Sequence, residues 1–179
     1  MITIRPVTTT SDYLLTPIKA LYEKAFPAYE RRDTIKFMHL IAHENRFSCL
    51  AIMKDDEFVG FFTKWDLESF YYSEHFAVDD KFRGQNIGSE SLKMILSEIN
   101  KPIILEVEKP TDDFSTRRIN FYKRAHFTLC TEHYLQPPYE KDFKPIPMYL
   151  MEYGGTLTQT QFSTIVKKLQ TEIYGIKIA

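Results

Sequence analysis

The stretch Arg83-Gly84-Gln85-Asn86-Ile87-Gly88-Ser89 sits where an apolar, β-rich run stops and a helical pattern starts. A strand that feeds a glycine-containing turn at a helix start leaves the backbone N–H groups of the first turn without intrahelical partners. The helix dipole adds partial positive charge at the same place. A junction of this kind can seat a diphosphate against main chain alone. Gly84 and Gly88 remove side chains where such a ligand would approach. Strand-to-helix turns use glycine for ordinary reasons too, so the meaning of this one depends on its flanks.

Around it the chain reads as a mixed α/β arrangement. Residues 2–7 alternate as a first strand. Ser11 or Asp12 can cap a helix to about Phe26, with Leu14, Leu15, Ile18, Leu21, Tyr22 and Ala25 on its apolar face. A second helix is expected from Arg32 to His43, with Ile35, Met38 and Leu40 as its apolar positions. Residues 46–54 and 57–66 read as a hairpin about Asp55-Asp56, and 70–78 as the strand that enters the glycine loop. A helix over 86–100 presents Ile87, Leu92, Ile95, Leu96 and Ile99 to a core. Residues 103–108 form a strand apolar enough to be buried on both faces. Ser115 or Thr116 can cap a short helix to Ala125, and 126–133 returns as a strand. The proline-rich segment 136–147 is expected as a surface loop, 147–153 as the last strand and 158–174 as the last helix. The pattern is that of one domain over 1–179, without a dinucleotide-binding fingerprint.

Charge and composition narrow the function classes. With 23 basic and 24 acidic residues, nothing in the global balance points to nucleic acid or to a membrane surface, so any phosphate binding must be local. No run approaches the ~20 apolar residues of a bilayer span, and residues 1–7 lack the marks of a signal peptide, so the cytoplasm is the expected compartment. Cys49 and Cys130 both fall in strand-like runs and are expected as buried, reduced thiols. His39 and His43 share a helical spacing, but Leu40 stands where a zinc-protease motif needs glutamate, and no metal is expected.

Two motifs together carry a resemblance. Arg83-Gly84-Gln85-Asn86-Ile87-Gly88 follows the pattern Arg/Gln-x-x-Gly-x-Gly/Ala, and Phe121-Tyr122-Lys123-Arg124-Ala125-His126-Phe127 follows Phe/Leu-Tyr-x-x-x-Gly-Phe. In this order the chain resembles the GCN5-related N-acetyltransferase (GNAT) superfamily. The resemblance implies a central, mostly antiparallel, twisted sheet of about seven strands flanked by helices. Asn86 and His126 stand where the family has glycine. Asparagine tolerates left-handed backbone well, whereas histidine there costs on the order of 1 kcal/mol.

The resemblance further implies acetyl-CoA as co-substrate. Arg83, Gly84, Gln85, Asn86, Ile87, Gly88 and Ser89 would hold its pyrophosphate, and the backbone of Phe76, Ala77 and Val78 its pantetheine arm. Tyr122 would protonate the departing thiolate. An alkyl amine with a pKa near ~10 must lose a proton before it attacks, and Glu74 is the first candidate base, Glu106 the second, with a water relay as the other route. Neither cysteine shows an activating base nearby in sequence, which favours direct attack in a ternary complex. Each residue also has a plain structural reading: Tyr122 as a core aromatic, Glu74 as an ion-pair partner, Glu106 as a charge satisfied inside the sheet. Phe26, Tyr29, Arg31 and Arg32 follow the first helix, where the family builds an acceptor wall. There the arginines would favour an acceptor with a carboxylate or phosphate. The expected activity is acetyl transfer to a primary amine of a small molecule or to an exposed amino group, by a monomer or homodimer. The alternative is a non-catalytic acyl-CoA sensor on the same fold.

Overall fold

The computed structural model describes residues 1–155 and 157–177. Its elements follow the expected order: β1 (Ile2–Val7), α1 (Leu15–Ala25), α2 (Thr34–His43), β2 (Phe47–Lys54), β3 (Glu57–Asp66), β4 (Tyr71–Val78), α3 (Ile87–Ser97), β5 (Ile103–Glu108), α4 (Asp113–Arg124), β6 (Thr128–Gln136), β7 (Ile146–Tyr153) and α5 (Gln159–Lys168). The class is mixed α/β, with seven strands, mostly antiparallel, and five α-helices among the described residues. The chain divides into two compact units, Met1–Ile103 and Ile104–Ala179.

In the first unit the strands run in the order β1-β2-β3-β4, each antiparallel to the next. Asp55 and Asp56 both take positive φ, 48° and 67°, as a tight hairpin turn requires. Gly60 on β3 has a separate reason to be glycine, since a Cβ there would lie 2.4 Å from the carbonyl oxygen of Ala77 on β4. That close backbone approach lies against the strand that enters the loop. α1 starts at Leu15, later than expected, and Pro17 falls in its first turn, where a missing N–H costs nothing. Asp12 does not cap the helix end; its carboxylate accepts from the Leu14 N–H and from Arg5 Nη2, both at 3.0 Å. α2 is capped by Asp33, whose Oδ1 accepts from the N–H groups of Ile35 and Lys36. The face it buries carries Thr34, Phe37 and Ile41, and Ile35, expected on the apolar face, is 79% exposed.

In the second unit the strand order is β5-β7-β6, with β6 and β7 antiparallel. α4 begins earlier than expected because Asp112, not Ser115 or Thr116, is its N-cap. Asp112 and Ser115 form a reciprocal capping box, with Ser115 N–H donating to Asp112 Oδ1 at 2.7 Å. A second capping box, Thr158 with Gln161, starts α5, whose last residues pass into a π-helical turn over Leu169–Ile173. Ile165, Leu169 and Ile173 are its buried residues, while Phe162 and Val166 are partly exposed. Cys49 is buried, but Cys130 on β6 is only half-buried. Among the described residues, no helix is long and apolar enough to cross a membrane.

Candidate functional site

The glycine loop is built from β4 outward. Asp79 ends the strand, and its carboxylate accepts from the Lys81 N–H to close a single 3₁₀ turn over Asp80–Phe82. Gly84 then takes φ +77° and Asn86 φ +59°, both left-handed, which reverses the chain into α3. Asparagine therefore does at 86 what the family's glycine does, as its tolerance of this conformation leads one to expect. The first backbone bond of α3 runs from Glu90 N–H to Asn86 C=O at 3.1 Å, which leaves the N–H groups of Ile87, Gly88 and Ser89 outside the helix's own bonding. A cluster of Ile52, Val59 and Ile87, with Phe76, Val78 and Phe82 packed against it, fixes the helix start beside the end of β4. Ser91 is fully buried and donates back to the carbonyl of Ile87 at 2.7 Å, anchoring the same turn from below. Arg83 is exposed and pairs with Asp80, and Lys54 Nζ donates to Gln85 Oε1. A Cβ on Gly84 would meet nothing within 4 Å. Main-chain donors, a helix N-terminus and room for close approach are what a diphosphate needs, so these residues fit one.

Upstream, β4 is irregular where it matters. The register runs Phe62↔Phe76 and then Lys64↔Ser73, so Thr63 faces two residues, Glu74 and His75, in a β-bulge. Thr63 Oγ1 accepts from the His75 N–H at 3.0 Å and holds the bulge in place. The extra residue re-aims both side chains. His75 is buried against the rings of Tyr22 and Phe26, with Nε2 3.2 Å from the Glu30 carbonyl oxygen, and burial lowers its pKa. The Glu74 side chain is wholly buried: Oε1 accepts from Arg32 Nε and Nη2 at 3.1 and 2.9 Å, and Oε2 from Trp65 Nε1 at 2.9 Å.

This pair gives Arg32 a structural part: its side chain is only 15% exposed, bound to Glu74, with its guanidinium 5.7 Å from the centre of the Trp65 ring. Arg31 likewise turns inward, donating from Nε to the Phe26 carbonyl at 3.0 Å. Tyr29 is exposed and Phe26 partly so. Removing one partner of a buried ion pair leaves the other charged in a poor solvent. Arg32→Met is therefore expected to cost about 2 kcal/mol of stability at neutral pH, read as a drop in Tm. Adding Glu74→Gln in the same chain should recover part of that loss.

In the second unit, the motif around Tyr122 is a helix stop. Phe127 N–H donates to the Tyr122 carbonyl and His126 N–H to the Lys123 carbonyl, both at 3.0 Å, with His126 at φ +67°. This is a Schellman motif with histidine at the position that glycine commonly fills. Its usual apolar contact is present as the edge-on pair Tyr122–Phe127, with ring centres 5.3 Å apart, and the Phe121 ring centre lies 5.1 Å from that of Tyr122. The Tyr122 ring is thereby fixed in a buried position, 8% exposed, and burial pushes its hydroxyl up to about 12.

Glu106 on β5 is the centre of a cluster that sequence reasoning did not find. Its Oε1 accepts from the Tyr134 hydroxyl, and its Oε2 from Gln136 Nε2 and, at 2.9 Å, from the Tyr174 hydroxyl. Tyr174 also lies 3.4 Å from the Tyr139 hydroxyl. Tyr134 is almost wholly buried, and burial together with the Glu106 carboxylate raises its pKa. The signal in the sequence was the parity of β6: Tyr134 and Gln136 are two apart and share a face. Tyr174 gave none, because it comes from beyond α5. Among the described residues, no group of three or more His, Cys, Asp or Glu side chains is placed to hold a metal ion.

Known proteins bear on these two motifs together. A sequence model of the Acetyltransferase (GNAT) family matches residues 15–127, a span that includes both. The structure is similar to that of an acetyltransferase of the GNAT family from Bacteroides thetaiotaomicron, at 36% sequence identity and TM-score 0.93, covering 98% of this chain and 99% of that one. More distant in sequence but alike in fold are NAA60 of Arabidopsis thaliana in complex with a bisubstrate analogue (18% identity, TM-score 0.64, 87% of this chain and 100% of that one) and the ribosomal-protein-S18-alanine N-acetyltransferase of Escherichia coli (19% identity, TM-score 0.61, 88% and 99%). No curated protein matches the chain.

Proposed function

The chain belongs to the acetyltransferase (GNAT) family, and from that premise we propose that it moves acetyl from acetyl-CoA to the primary amine of a small molecule or to an exposed amino group, by direct attack in a ternary complex. The observation that carries this reading is the start of α3. Two left-handed residues, Gly84 and Asn86, open a helix whose N–H groups at Ile87, Gly88 and Ser89 lie outside its own bonding and suit an anion. Arg83 to Ser89 hold the pyrophosphate. The backbone of Phe76, Ala77 and Val78 holds the pantetheine arm, and a main-chain N–H there polarises the thioester carbonyl, a contribution of about 3 kcal/mol in the transition state. The bound thioester supplies an activated acetyl group and a thiolate leaving group.

Two carboxylates compete for the amine's proton. The guanidinium held on Glu74 favours its ionised form and weakens it as a base, so Glu74 is better suited to fix the β4 bulge in place. Glu106 accepts from hydroxyl and amide donors, which favour its ionised form less than a guanidinium does, and it is the base we assign, acting directly or through water. Tyr122 donates to the departing sulfur. One family model spans both motifs, and on that ground 1–179 is read as a single catalytic domain.

The test is a broad panel of primary amines with acetyl-CoA, read by release of free thiol. Turnover on at least one amine is expected, with both substrates required before any thiol appears. Tight acetyl-CoA binding without turnover on any amine would replace this reading with the sensor.

A further inference from the structure

Lys64 lies on β3, between β2 and β4, in the sheet of the first unit. It stands opposite Ser48 on β2 and Ser73 on β4, so neither neighbouring strand sets a carboxylate directly beside it. A half-buried lysine in such a place ordinarily holds an acidic partner. Asp66, two residues on along the same strand, is already committed: its carboxylate accepts from Lys101 Nζ and, at 3.0 Å, from the Glu68 N–H. What Lys64 Nζ has instead is the ring of Tyr71, 4.0 Å from its centre, and Lys101 Nζ lies 4.4 Å from that same centre. Among the described residues the Lys64 ammonium makes no hydrogen bond or ion pair. A ring shared by two ammonium groups is a weaker partner than a carboxylate.

Lys64 also lines a cavity of about 540 Å³ between the first strands and the end of α3, whose wall includes Ile4, Leu50, Met94 and Ile99. Glu98 lines it too and is exposed. Burial lowers the Lys64 pKa; Asp66 opposes that shift and Lys101 adds to it. An apolar surrounding and a neighbouring cation are the two conditions that turn a lysine into a nucleophile, because both favour the neutral amine. We propose that Lys64 is an acylation site, its amine attacking the carbonyl carbon of a small acyl thioester that enters this cavity. The N–C bond forms, the C–S bond breaks, the thiolate leaves and the nitrogen passes one proton to water, so that amine and thioester become amide and thiol. The product is neutral and replaces a charge that has no counter-ion, which favours the reaction at this lysine over a solvated one. None of the residues assigned above to acetyl transfer lines the cavity. The modification is separate from the proposed activity and does not rest on it.

The test treats the full chain with S-acetyl-N-acetylcysteamine, a thioester that carries no diphosphate for the loop at 83–89. Hydroxylamine then strips acyl groups from cysteine, and amide formation at each lysine is followed in time by peptide mass mapping. At about pH 7.5 Lys64 is expected to be acetylated about fivefold faster than the median lysine of the chain. That lead should shrink as the pH approaches about 10.5, where the solvated lysines become neutral as well. Lys101→Gln removes the neighbouring ammonium and releases Asp66 to pair with Lys64, so it should bring the Lys64 rate down to about that of the median lysine. A Lys64 rate at or below the median near pH 7.5, a lead that grows with pH, or a lead unchanged in Lys101→Gln would each overturn the proposal. The ranking of lysines and its pH dependence are read on the unaltered chain, so the result stands even if Lys101→Gln does not fold. Failure of the amine panel to show turnover leaves this ranking untouched, which keeps the two readings apart.

Discussion

Tyr122→Phe is expected to lower kcat for acetyl transfer about 10²-fold while acetyl-CoA affinity stays within about twofold. Phenylalanine keeps the ring between Phe121 and Phe127 and removes only the hydroxyl, so the Schellman stop of α4 and the packing survive. The size of the effect follows from the acidity of the phenol. Burial pushes it up to about 12, whereas a free thiol titrates near ~8.5, so full proton transfer to the thiolate is uphill by several kcal/mol. In the proposed reaction Tyr122 would therefore act mainly as a hydrogen-bond donor to sulfur as charge develops there, and a charge-assisted bond of about 2–3 kcal/mol would set the loss. A pH consequence comes with it. The hydroxyl stays protonated until close to pH 12, so a fall in kcat between about pH 8 and 10 cannot come from Tyr122. Unchanged turnover in Tyr122→Phe would remove the residue from the mechanism, and an alkaline fall that vanishes in the variant would contradict the assigned acidity.

What could be read in the sequence was what short-range chemistry encodes. The hairpin at Asp55-Asp56, the left-handed turns at Asn86 and His126, and the order of strands and helices each depend on a few adjacent residues and their backbone preferences. Helix phase was less legible. Ile35 and Met38 are three apart and Phe37 and Ile41 four apart, so both pairs fit a helix face, and packing buries Phe37 and Ile41. Least legible were side-chain partners far apart in the chain. Arg32 meets Glu74 across 42 residues and Tyr174 meets Glu106 across 68, and no periodicity encodes such a meeting. The bulge at Glu74 and His75 belongs to the same class, since a one-residue irregularity decides which face each side chain takes. The candidate site was therefore readable in its backbone conformation, at 84 and 86, and unreadable where charged side chains choose their partners.

That difference makes Gly84 the sharper probe of the cofactor cradle. Gly84→Glu is expected to weaken acetyl-CoA binding by about 10²- to 10³-fold, measured by calorimetry, with the fold intact. Steric cost is small, because a Cβ at this position meets nothing within 4 Å. The positive φ of +77° costs on the order of 1 kcal/mol of stability for any residue other than glycine, and Gly84→Ala is the control for that part. The remainder is electrostatic. A carboxylate about 5 Å from a pyrophosphate charge, at an effective dielectric of about 20, repels it by roughly 3 kcal/mol. The difference between the Glu and Ala variants should therefore shrink as salt is raised, while the Ala effect should not. Gly84→Lys carries the same backbone strain with the opposite charge and should bind close to or better than Gly84→Ala. Equal affinities for the Glu, Ala and Lys variants would mean that no phosphate charge lies at the start of α3, and the pyrophosphate would have to be sought elsewhere on the chain.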